Sequence, residues 1–442
     1  ADRHEARLGG SDTFEATARR LLVLNVAMEG AQADLGEFYR EGRLGDNLPK
    51  LLMANVRQIP GDLHKKLDEH IDKSETGFFD THPADKDRIA SARREAAPGG
   101  FRLGQPATLL FRDFDSLSRN VTWDFYRGIF GPQFKPTDMH PTDDLLERQG
   151  REQEAHKALA RYFQGSFTTL RPLELPGLEL GAPGDPGGCA AALRKSREEM
   201  LEARPAFEEA YKEYDKADTH TIEADQATVL LKAHFTVGPT AFSVPMSDRG
   251  AAAGVRRNAL ARQNQLAHQM AGLEESAAQR LVAALRLLFV PKVAARIDRA
   301  EELQQECHRI FTSLAFLNRH HAALLELRNA HASLAILLGN IEGNEENQGL
   351  INSIRSQAEK VLAQVRSLHA DLMGGSYPLD HAKGDITVAQ YALETIPMSE
   401  DLGGIYEAGG EMLDKLPPLF ARLAGRLVVV AEQVERVLGL PP

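Results

Sequence analysis

The feature that most constrains the fold is an apolar residue at every third or fourth position over long stretches of the second half of the chain. One stripe comprises Leu266, Met270, Leu273, Ala277, Leu281, Leu285 and Leu288, and another comprises Leu416, Leu419, Leu423, Leu427, Val430, Val434 and Val437. This spacing gives a helix one apolar face, because an α-helix has about 3.6 residues per turn. Such faces are buried when helices pack side by side, so the stripes predict antiparallel hairpins or a bundle.

Composition supports the prediction of a mainly α fold. Ala, Leu, Glu, Arg and Gln are abundant, whereas aromatic residues make up only 6% of the 442 residues. The formal net charge of −11 argues against a phosphate-backbone binder, so we expect no nucleic-acid partner. With only Cys189 and Cys307, the chain has no disulfide framework, which favours a reducing, cytoplasmic location.

The first half also shows helical patterning, in shorter stretches. Ser11 or Asp12 can cap a first helix, and further helices are predicted at about 48–56, 62–71, 84–95, 113–129 and 142–163. The stretch 107–111 is predicted to be a short strand or an extended loop. Residues 171–188 are rich in Pro and Gly, which is typical of a linker. We therefore predict a first domain at 1–175, a linker at 176–188 and an all-helical domain at 189–442.

The segment at 81–89, Thr-His-Pro-Ala-Asp-Lys-Asp-Arg-Ile, is the most informative for function. Pro83 suits the first turn of a helix, and carboxylates such as Asp85 are favoured near the positive helix end. His82 would then lie on a loop at the start of the helix, with its imidazole able to point into a cleft. On pattern alone, the interpretation of His82 and Arg88 as capping and surface residues is favoured.

The order Thr-His-Pro, four residues, then Arg-Ile resembles the segment downstream of the zinc site in gluzincin metallopeptidases. The group concerned contains the CAAX prenyl endopeptidases and the HtpX heat-shock proteases. Ala1-Asp2-Arg3 is similar to the end of their Glu-x-x-Ala-Asp segment, which supplies the third zinc ligand, and 111–114 and 121–126 also resemble large bacterial members. The resemblance covers about 1–175 and implies a partial gluzincin-like catalytic domain, followed by a long-helix hairpin or bundle appendage.

The resemblance implies a role for three residues. Asp2 would accept a hydrogen bond from a zinc-bound His and orient it. His82 would donate to the oxyanion of the tetrahedral intermediate, and Arg88 would orient site carboxylates or the substrate carbonyl. The zinc ligands, a His-Glu-x-x-His pair and a Glu three residues before Ala1, would lie upstream. We thus predict no metal ligand within this chain and no activity for the chain alone.

Other candidate metal ligands are interpreted as structural. His4-Glu5-Ala6-Arg7-Leu8 begins like a His-Glu-x-x-His helix, but Leu8 stands where the second His ligand must lie. The histidines at 320, 321 and 331 fall in a leucine-rich helical stretch, which favours helix packing or solvation over metal binding.

Three functional hypotheses follow from these observations. The preferred one is part of a bacterial-type zinc metalloendopeptidase that cleaves protein or peptide substrates, with any membrane anchor supplied by upstream segments. The first residue is Ala rather than Met, and we expect a longer parent protein. The alternatives are a non-enzymatic helical scaffold or adaptor that presents its hairpins to a partner protein, and a degenerate peptidase whose helical arm carries the function.

Overall fold

The computed structural model describes residues 2–76, 83–101, 104–175 and 179–440. These residues are mainly helical and contain very little strand, which confirms the prediction of a mainly α fold. None of the helices in these ranges is both long enough and apolar enough to cross a membrane. The chain divides into two compact units, Ala1–Gly150 with His381–Lys383, and Arg151–Asp380 with Gly384–Pro442.

The first unit consists of helices with one short parallel strand pair. Its elements are α1 (Asp2–Gly9), α2 (Ser11–Arg40), β1 (Leu44–Gly45), α3 (Leu48–Gln58), α4 (Gly61–Lys73), α5 (Asp85–Glu95), α6 (Phe114–Phe130), β2 (Met139–His140) and the first part of α7 (Thr142–Phe163). Leu44 pairs with Met139 in the strand pair. The predicted helices are all present, but the prediction at 107–111 is wrong, because Ala107–Leu110 forms an exposed 3-10 helix.

The start of α2 also differs from the prediction. Its N-cap residue is Gly10, and neither Ser11 nor Asp12 caps the helix. The hydroxyl of Ser11 instead donates to the carbonyl oxygen of Ala92 at 2.6 Å and accepts from the amide of Ala97 at 3.0 Å. Ser11 is buried, and its hydrogen bond to Ala92 joins α2 to α5. This role requires a partner 81 residues away.

The second unit contains the long helices. After α7 it comprises α8 (Pro186–Lys232), α9 (Arg249–Leu287), α10 (Pro291–Ala294), α11 (Ala300–Arg319), α12 (His321–Leu338), α13 (Gln348–Leu372), α14 (Val388–Ala392) and α15 (Leu402–Val437). Asp218 accepts a hydrogen bond from Gln263, and Asp225 forms an ion pair with Arg256. The later residue of α8 meets the earlier residue of α9, so the two helices run in opposite directions as a hairpin. Both predicted stripes lie in this unit, in α9 and α15, and they line its core.

The boundary between the units lies at Gly150, within α7, rather than in the Pro/Gly-rich segment. Leu173 and Leu180, which flank the undescribed residues 176–178, are buried in the core of the second unit. Arg171 also binds Glu274 of α9 through two hydrogen bonds of 2.7 Å. The segment is rich in Pro and Gly but packs against the helices, because its few apolar and charged side chains find partners there.

Candidate functional site

Asp2 and Arg88, two of the three predicted site residues, contact each other in the first unit. The Nε of Arg88 donates to Oδ2 of Asp2 at 2.8 Å, and its Nη2 donates to Oδ1 at 3.3 Å. The guanidinium therefore binds both oxygens of one carboxylate, the geometry that lysine cannot reproduce. The two residues are 86 positions apart in the sequence, so only the fold brings them together.

The remaining contacts of Arg88 fix its orientation. Its Nη1 donates to Asp85 of the same helix at 3.1 Å, and its Cζ lies 5.7 Å from the ring centroid of Phe14. The hydrogen bond to Asp2 raises the pKa of Arg88, while burial opposes this shift. The guanidinium is thus a permanent cation whose plane is set by two carboxylates and one aromatic ring.

The start of α5 is held by residues that precede it. Its N-cap residue, Ala84, has no capping side chain, but the amide of Ala84 donates to the hydroxyl of Thr76 at 2.9 Å. That hydroxyl donates in turn to Asp87 at 2.5 Å, and Ser74 accepts from the amide of Lys86 at 3.4 Å. Thr76 and Ser74 satisfy helix amides that would otherwise lack a partner. Sequence reasoning missed both, since they lie far ahead of the helix.

Burial of the apolar side chains next to Arg88 fixes the rotation of α5. Ile89 and Ala92 pack in a small core with Ala6 of α1, Phe14 of α2 and Ile71 of α4. Because Ile89 follows Arg88 directly, its burial turns Arg88 towards α1 and the carboxylate of Asp2. The local sequence thus supplies the helix, and this small core determines which neighbour the arginine meets.

Two further ion-pair clusters hold α5 against α1 and α2. Arg93 binds both oxygens of Glu15 at 2.6 Å, and Glu95 accepts hydrogen bonds from Arg3 and Arg7. The hydrogen bond from Arg93 lowers the pKa of Glu15, and the one from Arg3 lowers that of Glu95. These pairs lie nearer the C-terminal end of α5 and give it several carboxylate–arginine contacts besides the one at Asp2.

His82, the predicted oxyanion donor, lies outside the described residues. The zinc ligands that the resemblance implies were predicted to lie upstream of the chain. Within the four described ranges, no group of three or more His, Cys, Asp and Glu side chains could hold a metal ion. His321 packs edge-on against Phe420 and lies 3.0 Å from the carbonyl oxygen of Thr169, whereas His331 stacks on Tyr406. Both histidines pack within the helical unit.

The second unit contains a cavity of about 1090 Å³. Its walls come from the start of α8, the middle of α9, the start of α12 and the segment around Arg171. The predicted linker contributes Pro183, Gly184 and Asp185 to this wall, which its composition gave no reason to expect. The ion pair of Arg171 with Glu274 forms part of the lining, and the guanidinium lies 5.0 Å from the ring centroid of Tyr214.

Burial favours the neutral form of two side chains that line this cavity, Cys189 and His321. Burial raises the pKa of the Cys189 thiol, so the thiol keeps its proton. Burial lowers the pKa of His321, so its imidazole is uncharged.

Comparison with known proteins identifies no relative of this chain. No protein family matches the sequence, no curated protein is similar to it, and no solved structure matches its fold. The function of the chain is therefore inferred from its own residues.

Proposed function

We propose that this chain is part of a zinc metalloendopeptidase, a hydrolase of peptide bonds in protein or peptide substrates. The observation that supports the proposal is the two-pronged contact between Arg88 and Asp2. Each residue lies in a segment that resembles a separate part of gluzincin metallopeptidases. The contact brings these two segments, 86 residues apart, together in the fold.

The contact suggests how the two residues would act. Arg88 holds the carboxylate of Asp2 in one orientation, and Asp2 would in turn orient an imidazole that binds zinc. His82 remains the proposed hydrogen-bond donor to the oxyanion. The described residues do not provide a zinc site. By the resemblance, the zinc ligands would belong to a polypeptide segment before Ala1.

The remaining parts of the proposal concern the parent protein. We propose that the first unit is gluzincin-like, that the parent is cytoplasmic, and that membrane contact, where present, is made through upstream segments. The helical second unit would be an appendage that contacts a protein partner. The alternatives remain a helical scaffold and a degenerate peptidase. Codons before Ala1 that encode His-Glu-x-x-His would support the metalloendopeptidase, and codons that do not encode it would support an alternative.

The test is to compare variants in the polypeptide encoded by the whole reading frame. Arg88→Lys and His82→Ala should each lower kcat strongly, by about 10²–10³-fold for His82→Ala, with little change in KM. Both variants should keep zinc content and helicity, because neither residue is a predicted ligand. Peptidase turnover, metal analysis and circular dichroism on the same samples provide the readout.

Arg93→Lys is the matched control for Arg88→Lys. Arg93 lies on the same helix and also binds both oxygens of one carboxylate, Glu15, but it is outside the Thr-His-Pro motif at 81–89. We expect Arg93→Lys to leave kcat unchanged. Equal loss for the two lysine variants would show a structural role only, and near-normal turnover of His82→Ala and Arg88→Lys would remove both residues from the mechanism.

A further inference from the structure

The cavity of the second unit is elongated along α9. The residues of this helix that line it form one stripe from Ala271 to Arg286. An α-helix rises 1.5 Å per residue, so the cavity follows α9 for about 22 Å. Its volume of about 1090 Å³ slightly exceeds the usual range of small-molecule pockets, which is about 300–1,000 Å³. The length and the volume together favour an extended ligand.

Small side chains form part of the cavity wall. Ala192 of α8, Ala278 of α9 and Ala322 of α12 reach no further than Cβ, so an extended chain can lie close to these helices. Leu170 and Leu325 add larger apolar surfaces to the same lining. The cavity can therefore hold a narrow chain whose apolar groups contact the two leucines.

Arg286 provides a positive charge at one end of the stripe. The guanidinium lies close enough to Cys189 for its charge to act on the thiol. Within the part of the chain that the structure describes, no carboxylate forms an ion pair with Arg286. Asp185 lies at the same end, but its carboxylate is directed towards Gly188, at the positive start of α8. Arg286 is thus available to an anionic group of a ligand.

Negative charge lies towards the other end of the stripe. Glu275 precedes the guanidinium by eleven positions, or about 16 Å along the helix, and it is exposed. Its carboxylate accepts a hydrogen bond from Gln279 at 3.0 Å and has no ion pair with a described cation. The neighbouring Glu274 is already neutralised by Arg171, and Glu174 adds a second exposed carboxylate to the lining. This end suits a cationic group.

His321 offers a hydrogen-bond acceptor to the cavity. Its Nε2 lies 3.0 Å from the carbonyl oxygen of Thr169, which can only accept, so Nε2 carries the hydrogen. In the neutral ring Nδ1 then keeps a lone pair, and burial favours this neutral form by lowering the pKa of His321. The imidazole can accept a hydrogen bond from an N–H group of a ligand.

The mixed lining distinguishes between classes of extended ligand. A fatty acid could place its carboxylate at Arg286, but its methylene chain would then lie beside Glu275 and Gln279. A linear polyamine could pair with Glu275, but another of its ammonium groups would approach Arg286. A peptide carries both signs of charge, apolar side chains and backbone N–H donors on one narrow chain.

We propose that this cavity binds a short extended peptide, with an acidic group of the peptide at Arg286 and a basic group at Glu275. An extended peptide rises about 3.3 Å per residue, so five steps of the chain cover the distance of about 16 Å between the two charges. A backbone N–H of the peptide donates to His321, and its apolar side chains pack on the leucines of the wall. Such binding does not depend on peptidase activity.

Calorimetry of the full chain with defined peptides tests the binding. The probe is the hexapeptide acetyl-Lys-Ala-Leu-Ala-Leu-Ala with a free carboxylate, and we expect saturable binding of one peptide per chain. The control peptide has glutamine in place of lysine and a C-terminal amide. It should bind at least about tenfold more weakly, because it lacks both charged contacts.

Protein variants test the position of the peptide. Arg286→Gln should weaken binding of the probe about tenfold, and this loss should vanish for the same peptide with a C-terminal amide. Glu275→Gln should weaken binding by about two- to fivefold, because that carboxylate is exposed. Arg257→Gln is the matched control, since Arg257 is an exposed residue of α9 outside the cavity, and it should leave the affinity unchanged.

Several results would overturn the proposal. These are no binding of the probe at about 1 mM, equal affinity for the charged and the control peptide, and equal effects of Arg286→Gln and Arg257→Gln. Saturable binding of palmitate or spermine in place of the probe would also overturn it. The comparison of carboxylate and amide peptides tests the contact with Arg286 on the natural chain, so it does not depend on the folding of a variant.

Discussion

The two units of this protein differ in how they bury apolar side chains. In the second unit one continuous cluster includes Leu193 of α8, Leu281 of α9 and Leu427 of α15, all 0% exposed. In the first unit the buried side chains form separate clusters of three to five residues, such as that of Phe14, Ile71 and Ile89. A continuous core gives cooperative stability, so we expect the second unit to be the more stable of the two.

The most buried ion pair of the second unit also differs in exposure from the Arg88–Asp2 pair of the first unit. Arg280 and Glu435 of the second unit are 3% and 1% exposed, and the guanidinium also donates to the carbonyl oxygen of Tyr162 at 2.6 Å. In the first unit Arg88 and Asp2 remain 35% and 32% exposed. Buried pairs are intolerant of losing one partner, whereas exposed pairs contribute little to stability. The more exposed pairs of the first unit can therefore serve orientation and recognition.

The largest expected change in the free energy of unfolding comes from a substitution in the core of the second unit. Arg280→Met leaves the carboxylate of Glu435 buried without its cation, and we expect a loss of about 3–5 kcal/mol in the free energy of unfolding. Chemical denaturation followed by circular dichroism measures it. Arg256→Met is the matched control, because Arg256 pairs with Asp225 on the surface and should change stability by less than about 1 kcal/mol. Similar losses for the two variants would show that the buried pair has no special role.

A smaller effect should separate the two units. Ile89→Ala removes a side chain that is 4% exposed from the small core of the first unit, at a cost of about 2–4 kcal/mol. We expect calorimetry of the full chain to show two transitions, of which this variant lowers only the one at lower temperature. A single transition that shifts as a whole would show that the two units unfold together, and it would contradict a difference in stability between them.

The smallest effect concerns the pH dependence of the first unit. Burial raises the pKa of Asp34, and the hydrogen bonds from Asn55 and Gln149 only partly offset this. A raised pKa means that the protonated form is favoured in the fold. The contribution of Asp34 to stability is therefore present below its unfolded pKa and is lost as the pH rises through its folded pKa.

Asp34→Asn should remove this dependence. Between pH 4 and about pH 7, the melting temperature of the variant relative to the natural chain should rise by a few degrees at most. Because Glu15 and Glu95 have lowered pKa values and act in the opposite direction, only the difference between the two proteins isolates Asp34. A variant that loses stability relative to the natural chain towards neutral pH would contradict the burial of an ionised Asp34.

Periodicity identified the helices because it is a local property. The stripe that includes Leu266 and Leu281 predicted both the helix and its buried side, and the same is true of Leu419 and Leu427 in α15. Composition was less informative for the Pro/Gly-rich segment. The burial of Leu173 depends on distant helices, which no window of neighbouring residues contains.

The candidate site shows the same division. The Thr-His-Pro segment and the Ala-Asp pair could be selected from the sequence, and so could the start of α5 to within a residue. The sequence did not indicate that Arg88 binds Asp2 or that Thr76 and Ser74 bind the start of α5. It also did not indicate that Ser11 joins two helices instead of capping one. Each of these contacts links residues that are distant in the sequence, and their geometry depends on the rotation of whole helices.

The sequence by itself therefore determined the helical class, the approximate bounds of several helices in the first half and the side chains that could carry chemistry. Only the tertiary structure decided which arginine meets which carboxylate and where the first unit ends. The physical reason is that helix formation follows from hydrogen bonds within one turn and the spacing of apolar side chains. Packing instead selects among many pairings of similar helices, and that choice depends on the shape and charge of surfaces built from distant segments.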